Sequence, residues 1–231
     1  MAVARDAVSG ISETGSSTTH SFSHTCTGSN LYLLVGVADW SGDNVTGVTY
    51  NGVSMTQLVK ETRNPDSGSL EIYFYGLANP STGTNTVTIT RSSSSLWIDG
   101  CAVSYTGVTQ TTSPVDATGT AQGDGSSSTT VNITTVANNT AVVTFGVSDN
   151  ASIAASTNLT EIANSVGLPS GNDCTILCEA SSFPVTPAGA KSYTISHTST
   201  AGDAHIAVSL APAGGVAAVA VVPTLLTLGV G

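Results

Sequence analysis

Residues 84–90 read Thr-Asn-Thr-Val-Thr-Ile-Thr, a strict alternation of polar and apolar side chains. Successive side chains of a β-strand point to opposite faces of the sheet, so this period of two predicts a strand with Val87 and Ile89 inward. Residues 129–135 repeat the pattern. Each stretch therefore predicts a strand with one face in a core and one hydroxyl-bearing face in solvent.

Other strand-like segments extend the pattern in both directions. Residues 31–38 are apolar on both faces, as expected of a central strand that is covered on both sides. Residues 70–75 and 204–210 alternate again, and turn residues such as Asn51-Gly52 separate the segments at intervals typical of β-sandwiches. The sequence therefore predicts an all-β protein, a two-sheet antiparallel β-sandwich of the jelly-roll kind, with almost no helix.

An internal echo indicates a duplication. Residues 33–39, Leu-Leu-Val-Gly-Val-Ala-Asp, resemble residues 143–149, Val-Thr-Phe-Gly-Val-Ser-Asp, and a similar strand follows each of them. We therefore predict pseudo-repeat halves at about 19–112 and 129–212, joined by a linker, within one sandwich domain of residues 1–212. The alternative is that any two β-meanders look alike at this level of detail.

Composition excludes several classes of partner. Charged residues make up only 9% of the chain and the formal net charge is −10. A protein that neutralises nucleic-acid phosphates needs clustered Lys and Arg, and this chain has five basic residues in total. Nucleic-acid binding is therefore not expected, and binding to an anionic membrane surface is disfavoured for the same reason.

The four cysteines are Cys26, Cys101, Cys174 and Cys178, which allow three pairings. An extended chain separates Cys174 from Cys178 by about 13 Å, too far for a disulfide between them. No cysteine or histidine pair has the spacing of a zinc site. We predict reduced, buried thiols that act as small apolar residues, and no metal site.

Four histidines are the natural candidates for catalysis. His20 and His24 are predicted to be partly exposed on an edge strand, and no metal is assigned to them. His197 and His205 fall in consecutive strands and would meet across a hairpin if these strands pair. The nucleophile motif Gly-x-Ser-x-Gly with a following Asp and His is absent. We therefore predict that the chain is not an enzyme and has no cofactor.

Residues 39–44, Asp-Trp-Ser-Gly-Asp-Asn, weakly resemble a calcium loop, but a turn is the preferred interpretation. Trp40 in this loop is predicted to be exposed and is the candidate ligand contact, either for sugar stacking or for a partner. Trp97 is assigned to the core. Asp99 would share the face of Trp97 and needs a hydrogen bond there.

Five stretches share a pattern of turn and core residues: 24–37, 50–55, 79–87, 104–108 and 207–212. They resemble the phage and bacterial β-sandwich proteins of the concanavalin-like jelly-roll kind, which include virion decoration proteins, fibres and adhesins. The resemblance spans about residues 19–212 and consists mainly of turn and core residues, so it bears more on fold than on function. Cys26, where an apolar residue is expected, is a departure.

The resemblance implies a virion structural protein, in a capsid decoration, head fibre or tail-associated role, that acts by adhesion between subunits. Its partners would be copies of itself or other virion proteins, and its location the virion. The first ten residues contain Arg5 and Asp6 and no apolar run, so no signal peptide is expected. The alternatives are a surface-glycan-binding adhesin module or a self-assembling fibre subunit, at the cell surface or outside the cell.

The C-terminal segment, residues 213–231, is apolar and carries no charged side chain. Pro223 interrupts it and no basic residue flanks it, so a membrane span is not expected. We predict that it lies extended against a neighbouring subunit; folding back on its own domain is the alternative. Burial of its Val and Leu side chains would contribute on the order of 10 kcal/mol before entropy costs. These partner-binding residues are Val216, Val219, Val221, Val222, Leu225, Leu226 and Leu228.

Overall fold

The computed structural model describes residues 2–63, 70–94, 97–110, 113–123, 127–148, 152–156, 158–165, 174–197 and 202–214, with the side chains of 11–14 excepted. The regular structure of these residues is entirely β-strand, which confirms the predicted all-β class. The strands are β1 Ala4–Thr14, β2 Thr19–Cys26, β3 Tyr32–Asp39, β4 Val45–Tyr50, β5 Val53–Ser54, β6 Thr56–Arg63, β7 Leu70–Ala78, β8 Gly83–Arg91, β9 Ile98–Thr106, β10 Val115–Gly123, β11 Ser128–Thr135, β12 Ala141–Ser148, β13 Ile153–Ala155, β14 Leu159–Ser165, β15 Cys174–Ala180, β16 Gly189–His197 and β17 Asp203–Leu210.

The described strands form four antiparallel sheets, two in each half of the chain. The first half, β1–β9, has an inner sheet in the order β1-β9-β3-β7-β6 and an outer sheet in the order β2-β8-β4-β5. The second half, β10–β17, has an inner sheet β10-β17-β12-β15-β14 and an outer sheet β11-β16-β13. Each half is thus a two-sheet antiparallel sandwich of the predicted kind, so the described residues form two sandwiches and not the single one predicted over residues 1–212.

The two sandwiches stack through their inner sheets and make four layers. One apolar cluster fills each sandwich, and a third joins Leu34, Phe74 and Val103 of the first inner sheet to Phe145 and Ile206 of the second. Because the inner sheets are covered on both faces, every residue of β3, β12 and β17 is buried. This burial explains why residues 31–38 are apolar on both faces.

The halves share one topology, strand for strand. In chain order β1 corresponds to β10, β2 to β11, β3 to β12, β6 to β14, β7 to β15, β8 to β16 and β9 to β17. Two β-bulges of each half coincide, at Asp6 and Asp116 in the first strands and at Leu58 and Ile162 in the inner-sheet edge strands. Since chance similarity of meanders would not reproduce bulges, the internal echo reflects a shared architecture.

The predicted boundaries of the halves were too narrow. The first half begins at Ala4 rather than near residue 19, and the second at Val115 rather than near residue 129. The supposed linker contains β10, which pairs with β17 along its length. The sequence favours a linker there over a strand that starts at Val115, because Gly, Ser and Thr dominate residues 113–128 and the inward side chains of β10 are mostly Ala.

The match between residues 33–39 and residues 143–149 is also displaced by one residue from the structural equivalence of β3 and β12. Gly36 pairs with Cys101 and Phe74, and Phe145 holds the corresponding place between Ile206 and Leu177. The true counterpart of Gly36 is therefore Phe145 and not Gly146. A slip of one residue moves each side chain to the opposite face of the sheet, so matching letters would have reversed the packing of β12.

Gly36 and Phe145 meet at the centre of the contact between the halves. A Cβ atom added at Gly36 would lie 2.9 Å from the Cys101 Sγ and 3.1 Å from the Phe145 ring. The Phe145 ring packs on Phe74 with 6.0 Å between ring centroids. The glycine of one half therefore makes room for the aromatic ring that the other half places at the equivalent position.

Candidate functional site

In each half an aspartate on the first strand connects the inner sheet to the outer sheet, and we call this contact the aspartate clasp. The Asp6 carboxylate accepts hydrogen bonds from the Thr27 N–H at 2.8 Å, from the Thr27 hydroxyl, and from the Ser104 hydroxyl at 2.7 Å. The β-bulge turns Asp6 toward the end of β2 and so ties the inner sheet to the outer sheet. Burial raises the pKa of this carboxyl, but the hydrogen bonds from Thr27 and Ser104 outweigh burial and lower it.

The second half repeats the clasp. Asp116 accepts hydrogen bonds from the Val136 N–H at 2.8 Å, the Ala137 N–H at 2.9 Å and the Ser209 hydroxyl at 3.3 Å. The signal was visible in the sequence as Asp-Ala at 6–7 and 116–117 and as Ala-Val-Ser at 102–104 and 207–209. A carboxylate that occurs in both halves with the same backbone partners has a structural role.

His24 joins the clasp of the first half only. Its ring nitrogens lie 2.9 Å from the Ser9 Oγ and 3.1 Å from the Ser104 Oγ, and Ser104 in turn donates to Asp6. In the Ser-His-Asp arrangement the carboxylate orients the histidine, whereas here it binds the serine. Burial lowers the pKa of His24 to about 4, which keeps the ring neutral near pH 7.

A buried polar pair occupies the opposite corner of each sandwich. The Arg91 Nη1 lies 3.0 Å from the Asp39 Oδ1, with both side chains fully buried. In the second half His197 replaces Arg91, and its Nε2 lies 2.7 Å from the Oδ2 of Asp203 on β17, the strand beside β12. Each pair links an outer sheet to an inner sheet, although the acid comes from different strands.

The histidine predictions need correction. His20 and His24 lie on an edge strand, as predicted, but both are buried, because β1 packs over β2. His197 and His205 do not form a cross-strand pair, since β16 belongs to an outer sheet and β17 to an inner one. Successive strands of a sandwich cross between its sheets, and alternation within each strand contains no signal for that crossing.

Trp40 is not an exposed platform. It is 8% exposed and packs in the cluster between the inner sheets, and its Nε1 lies 3.4 Å from the Asp99 Oδ2. Its predicted role as a sugar-stacking residue is therefore wrong, because a buried indole has no free face. The predictions for Trp97 and Asp99 are confirmed, since Trp97 packs against the core and the Asp99 carboxylate accepts the Trp40 hydrogen bond.

The loop at residues 39–44 is a turn whose aspartates make contacts within the chain. Asp39 accepts from the Ser41 N–H and from Arg91, and Asp43 pairs with Lys60 at 2.7 Å and accepts from the Tyr73 hydroxyl at 2.8 Å. Burial raises the pKa of Asp39 against the effect of Ser41 and Arg91. The preferred interpretation of this stretch as a turn agrees with these contacts.

The four cysteines are free and buried, as predicted. Among the described residues no group of three or more His, Cys, Asp or Glu side chains converges as a metal site would require. Nor does the described part of the chain contain a helix of the length and apolar character needed to cross a bilayer. The predicted contact residues Val216, Val219, Val221, Val222, Leu225, Leu226 and Leu228 lie outside the described residues.

No family model, curated protein or solved structure matches the chain.

Both outer sheets present a ladder of hydroxyl groups to solvent, and we call these surfaces the hydroxyl faces. Thr25 and Thr84 hydrogen-bond across the strands at 2.8 Å, and Ser21 and Thr88 at 3.1 Å. Thr130 and Thr194, the counterparts of Ser21 and Thr88, do so at 2.8 Å. The paired positions are Thr19–Thr90, Ser21–Thr88, Ser23–Thr86, Thr25–Thr84, Ser128–Ser196, Thr130–Thr194, Asn132–Ser192 and Thr134–Ala190.

The halves differ most at one edge of their outer sheets. In the first half β4 and β5 form a hairpin through Asn51 and Gly52, both at positive φ, and the Asn51 N–H bonds to the Thr86 carbonyl at 3.0 Å. In the second half the segment from Ile153 to Thr160 corresponds to the segment from Val45 to Thr56 in the first half, and it is four residues shorter. There the Asn158 side chain donates to the Ser192 carbonyl in place of the backbone N–H.

The missing hairpin leaves an open cleft of about 280 Å³ in the second half, which we call the Lys191 cleft. A groove of about 480 Å³ runs along the hairpin itself in the first half, lined by Val48, Met55 and Tyr75 and by several hydroxyls but by no charged side chain. The Lys191 cleft is lined by Asn158, Ser181, Ser182, Lys191, Ser192 and Tyr193.

Proposed function

We propose that the chain is a structural protein of a virus particle, in a decoration, fibre or tail-associated role, that acts through contacts between subunits and without catalytic turnover. The observation that carries the proposal is the pair of hydroxyl faces on opposite sides of a four-layer block. Neighbouring molecules can contact both sides of such a block, as a lattice or a fibre requires.

The chemistry of the hydroxyl faces suits close approach. Every paired position is Ser or Thr except Asn132 and Ala190, so none carries a charge. Burying a charged group against a partner requires its desolvation, and the cores of interfaces are depleted of charged residues. The charged side chains therefore lie outside these paired positions, and the net charge of −10 opposes unspecific association.

The apolar C-terminal segment supplies a second contact in this proposal. The described chain ends at Gly214, just after the Ala213 N–H bonds to the Gly107 carbonyl at 2.7 Å. Deletion of residues 215–231 keeps that hydrogen bond and removes the Val and Leu side chains, so we expect loss of assembly with an unchanged midpoint of urea unfolding.

The decisive test combines particle composition with assembly. Mass spectrometry of virus particles purified from the source lysate should contain the chain, and electron microscopy of the purified protein should show regular oligomers or fibres. Thr86→Glu, on a hydroxyl face, should weaken assembly, whereas Thr120→Glu, at an exposed threonine of β10, should not. A chain that is absent from particles and monomeric at every concentration is not a virion structural protein.

A further inference from the structure

The Lys191 cleft exists because the second half lacks a piece that the first half has. The equivalent space of the first half is filled by the turn of the β4–β5 hairpin, where the Asn85 amide donates to the Tyr50 hydroxyl at 3.3 Å and to the Gly83 carbonyl at 3.4 Å. Lys191 holds the position of Asn85, as the strand pairings of β8 and β16 show. The replacement of a bound amide by lysine coincides with the loss of the hairpin.

Lys191 belongs to the inward-facing row of β16. The row continues through Tyr193, Ile195 and His197, all buried, while Lys191 at the open end is half-buried. A lysine that only protected a sheet edge from aggregation would be expected on the outward row, where its ammonium is fully hydrated. The position of Lys191 instead directs its side chain toward the cleft.

Lys191 also has free capacity for a partner among the described residues. Arg5 pairs with Glu179 at 3.0 Å and Lys60 with Asp43 at 2.7 Å, and Arg91 is buried against Asp39. Within the described residues the Lys191 ammonium makes no hydrogen bond and no ion pair. Although the net charge of the chain is −10, the charge at this polar cleft is the unpaired positive charge of Lys191.

We propose that the Lys191 cleft binds a carboxylate-bearing saccharide, such as a uronic acid residue of an acidic glycan. Lys191 would pair with the carboxylate, the hydroxyls of Ser181, Ser182 and Ser192 would bond the sugar hydroxyls, and Tyr193 forms the apolar floor. A volume of about 280 Å³ is at the small end of ligand pockets and suits a single sugar ring.

The charge of the whole molecule sets the expected binding behaviour. The net charge of −10 repels an acidic polymer at long range, while Lys191 attracts its carboxylate at short range. Salt screens the long-range term within about 8 Å at physiological ionic strength. Binding is therefore expected to be weak for one sugar and to gain strength when several copies of the protein contact one polymer.

The test titrates the full chain with a glucuronic-acid-containing oligosaccharide, followed by NMR or calorimetry. We expect saturable binding that falls at least about fivefold in Lys191→Gln and is retained in Lys191→Arg. Lys60→Gln provides the matched control, because Lys60, the other lysine of the chain, lies outside the cleft in an ion pair. A neutral oligosaccharide of the same length should bind weakly or not at all.

Three outcomes would overturn the saccharide site: no saturable binding, equal binding by wild type and Lys191→Gln, or equal binding of a polyglutamate peptide. The last would assign the cleft to carboxylates in general. Urea unfolding of each variant establishes that it is folded. Because Lys191 lies on neither hydroxyl face, assembly of Lys191→Gln should be normal, so failure of this inference leaves the proposed structural function untouched.

Discussion

At the scale of single residues, the contact between the halves depends on an unequal pair. Gly36 and Phe145 occupy equivalent positions, and they touch, so they lie close to the pseudo-two-fold axis that relates the halves. The reciprocal contacts of β1 with β14 and of β6 with β10 have the same symmetry. Two identical residues would leave a void or a clash here, and the glycine–phenylalanine pair avoids both.

Gly36→Ala should therefore destabilise the protein. The new Cβ would lie 2.9 Å from the Cys101 Sγ and 3.1 Å from the Phe145 ring, and overpacking of a core costs about 1–3 kcal/mol. Urea unfolding followed by fluorescence measures the change. Gly47→Ala is the matched control, because a Cβ there meets nothing within 4 Å; equal stability of the two variants would contradict the packing described for Phe145.

Two buried histidines predict a loss of stability in acid. Burial lowers the pKa of His24 to about 4 and that of His205 to about 3, against 6.5 for a free histidine. Below pH 6.5 His24 and His205 bind protons in the unfolded chain, whereas in the folded protein they stay neutral until a lower pH. The free energy of unfolding therefore falls with falling pH. Between pH 7 and pH 4 each histidine accounts for about 3 kcal/mol.

Urea unfolding at a series of pH values tests this dependence. His205→Leu removes one titrating group, so its free energy of unfolding should fall less steeply between pH 6.5 and pH 4 than that of the wild type. Parallel curves for the two proteins would show that His205 takes up its proton in the folded state as readily as in the unfolded chain.

At the scale of elements, the aspartate clasps connect strands that share no sheet. Asp6 on β1 holds the chain as it leaves β2, and Asp116 on β10 does the same for β11. Asp6→Ala should cost about 1–3 kcal/mol, because it leaves the Thr27 N–H and the Ser104 hydroxyl without their acceptor. Asp116→Ala should have a similar effect through Val136 and Ala137.

Comparison with asparagine separates the clasp from a general charge effect. An asparagine at position 6 or 116 keeps one acceptor oxygen, so its stability, measured by urea unfolding, should fall between those of wild type and the alanine variant. Thr120→Ala, at an exposed position of β10, provides a baseline for a surface change. If the alanine variants unfold with wild-type midpoints, the carboxylates do not hold the sheets together.

At the scale of the whole molecule, each half exposes an apolar inner face when alone. The cluster between the halves contains Leu34, Phe74, Phe145 and Ile206. A symmetric dimer of second halves would set one Phe145 against another, and one of first halves would set Gly36 against Gly36, so neither half is complementary to itself.

Residues 1–112 and 113–231 expressed separately should therefore aggregate, because each exposes an extended apolar surface. Co-expression should yield a soluble one-to-one complex. Analytical ultracentrifugation distinguishes these outcomes, and Phe145→Ala in the second fragment should weaken the complex, since removal of a buried phenylalanine ring costs about 3–5 kcal/mol. A stable, soluble first half would show that the inner face needs no cover.

Local patterns were enough to predict many of the strands. Val87 and Ile89 are inward and the threonines between them outward, because side-chain alternation is a property of the strand itself. The same pattern predicted the hydroxyl-bearing faces and, from the echo, two related halves. The absence of a bond between Cys174 and Cys178 also followed, because their spacing along one strand is too long for a disulfide.

Tertiary structure decided the partners of each strand, and with them the candidate site. The sequence around Trp40 predicts an exposed loop residue, but the packing of the second half buries it. The apparent match of Gly36 with Gly146 is corrected only by the strand register. The Lys191 cleft is defined by a hairpin that the second half lacks, which no local pattern displays. Side-chain alternation and turn residues are properties of a few neighbouring residues. The burial of a residue depends instead on which distant strands pack against its strand.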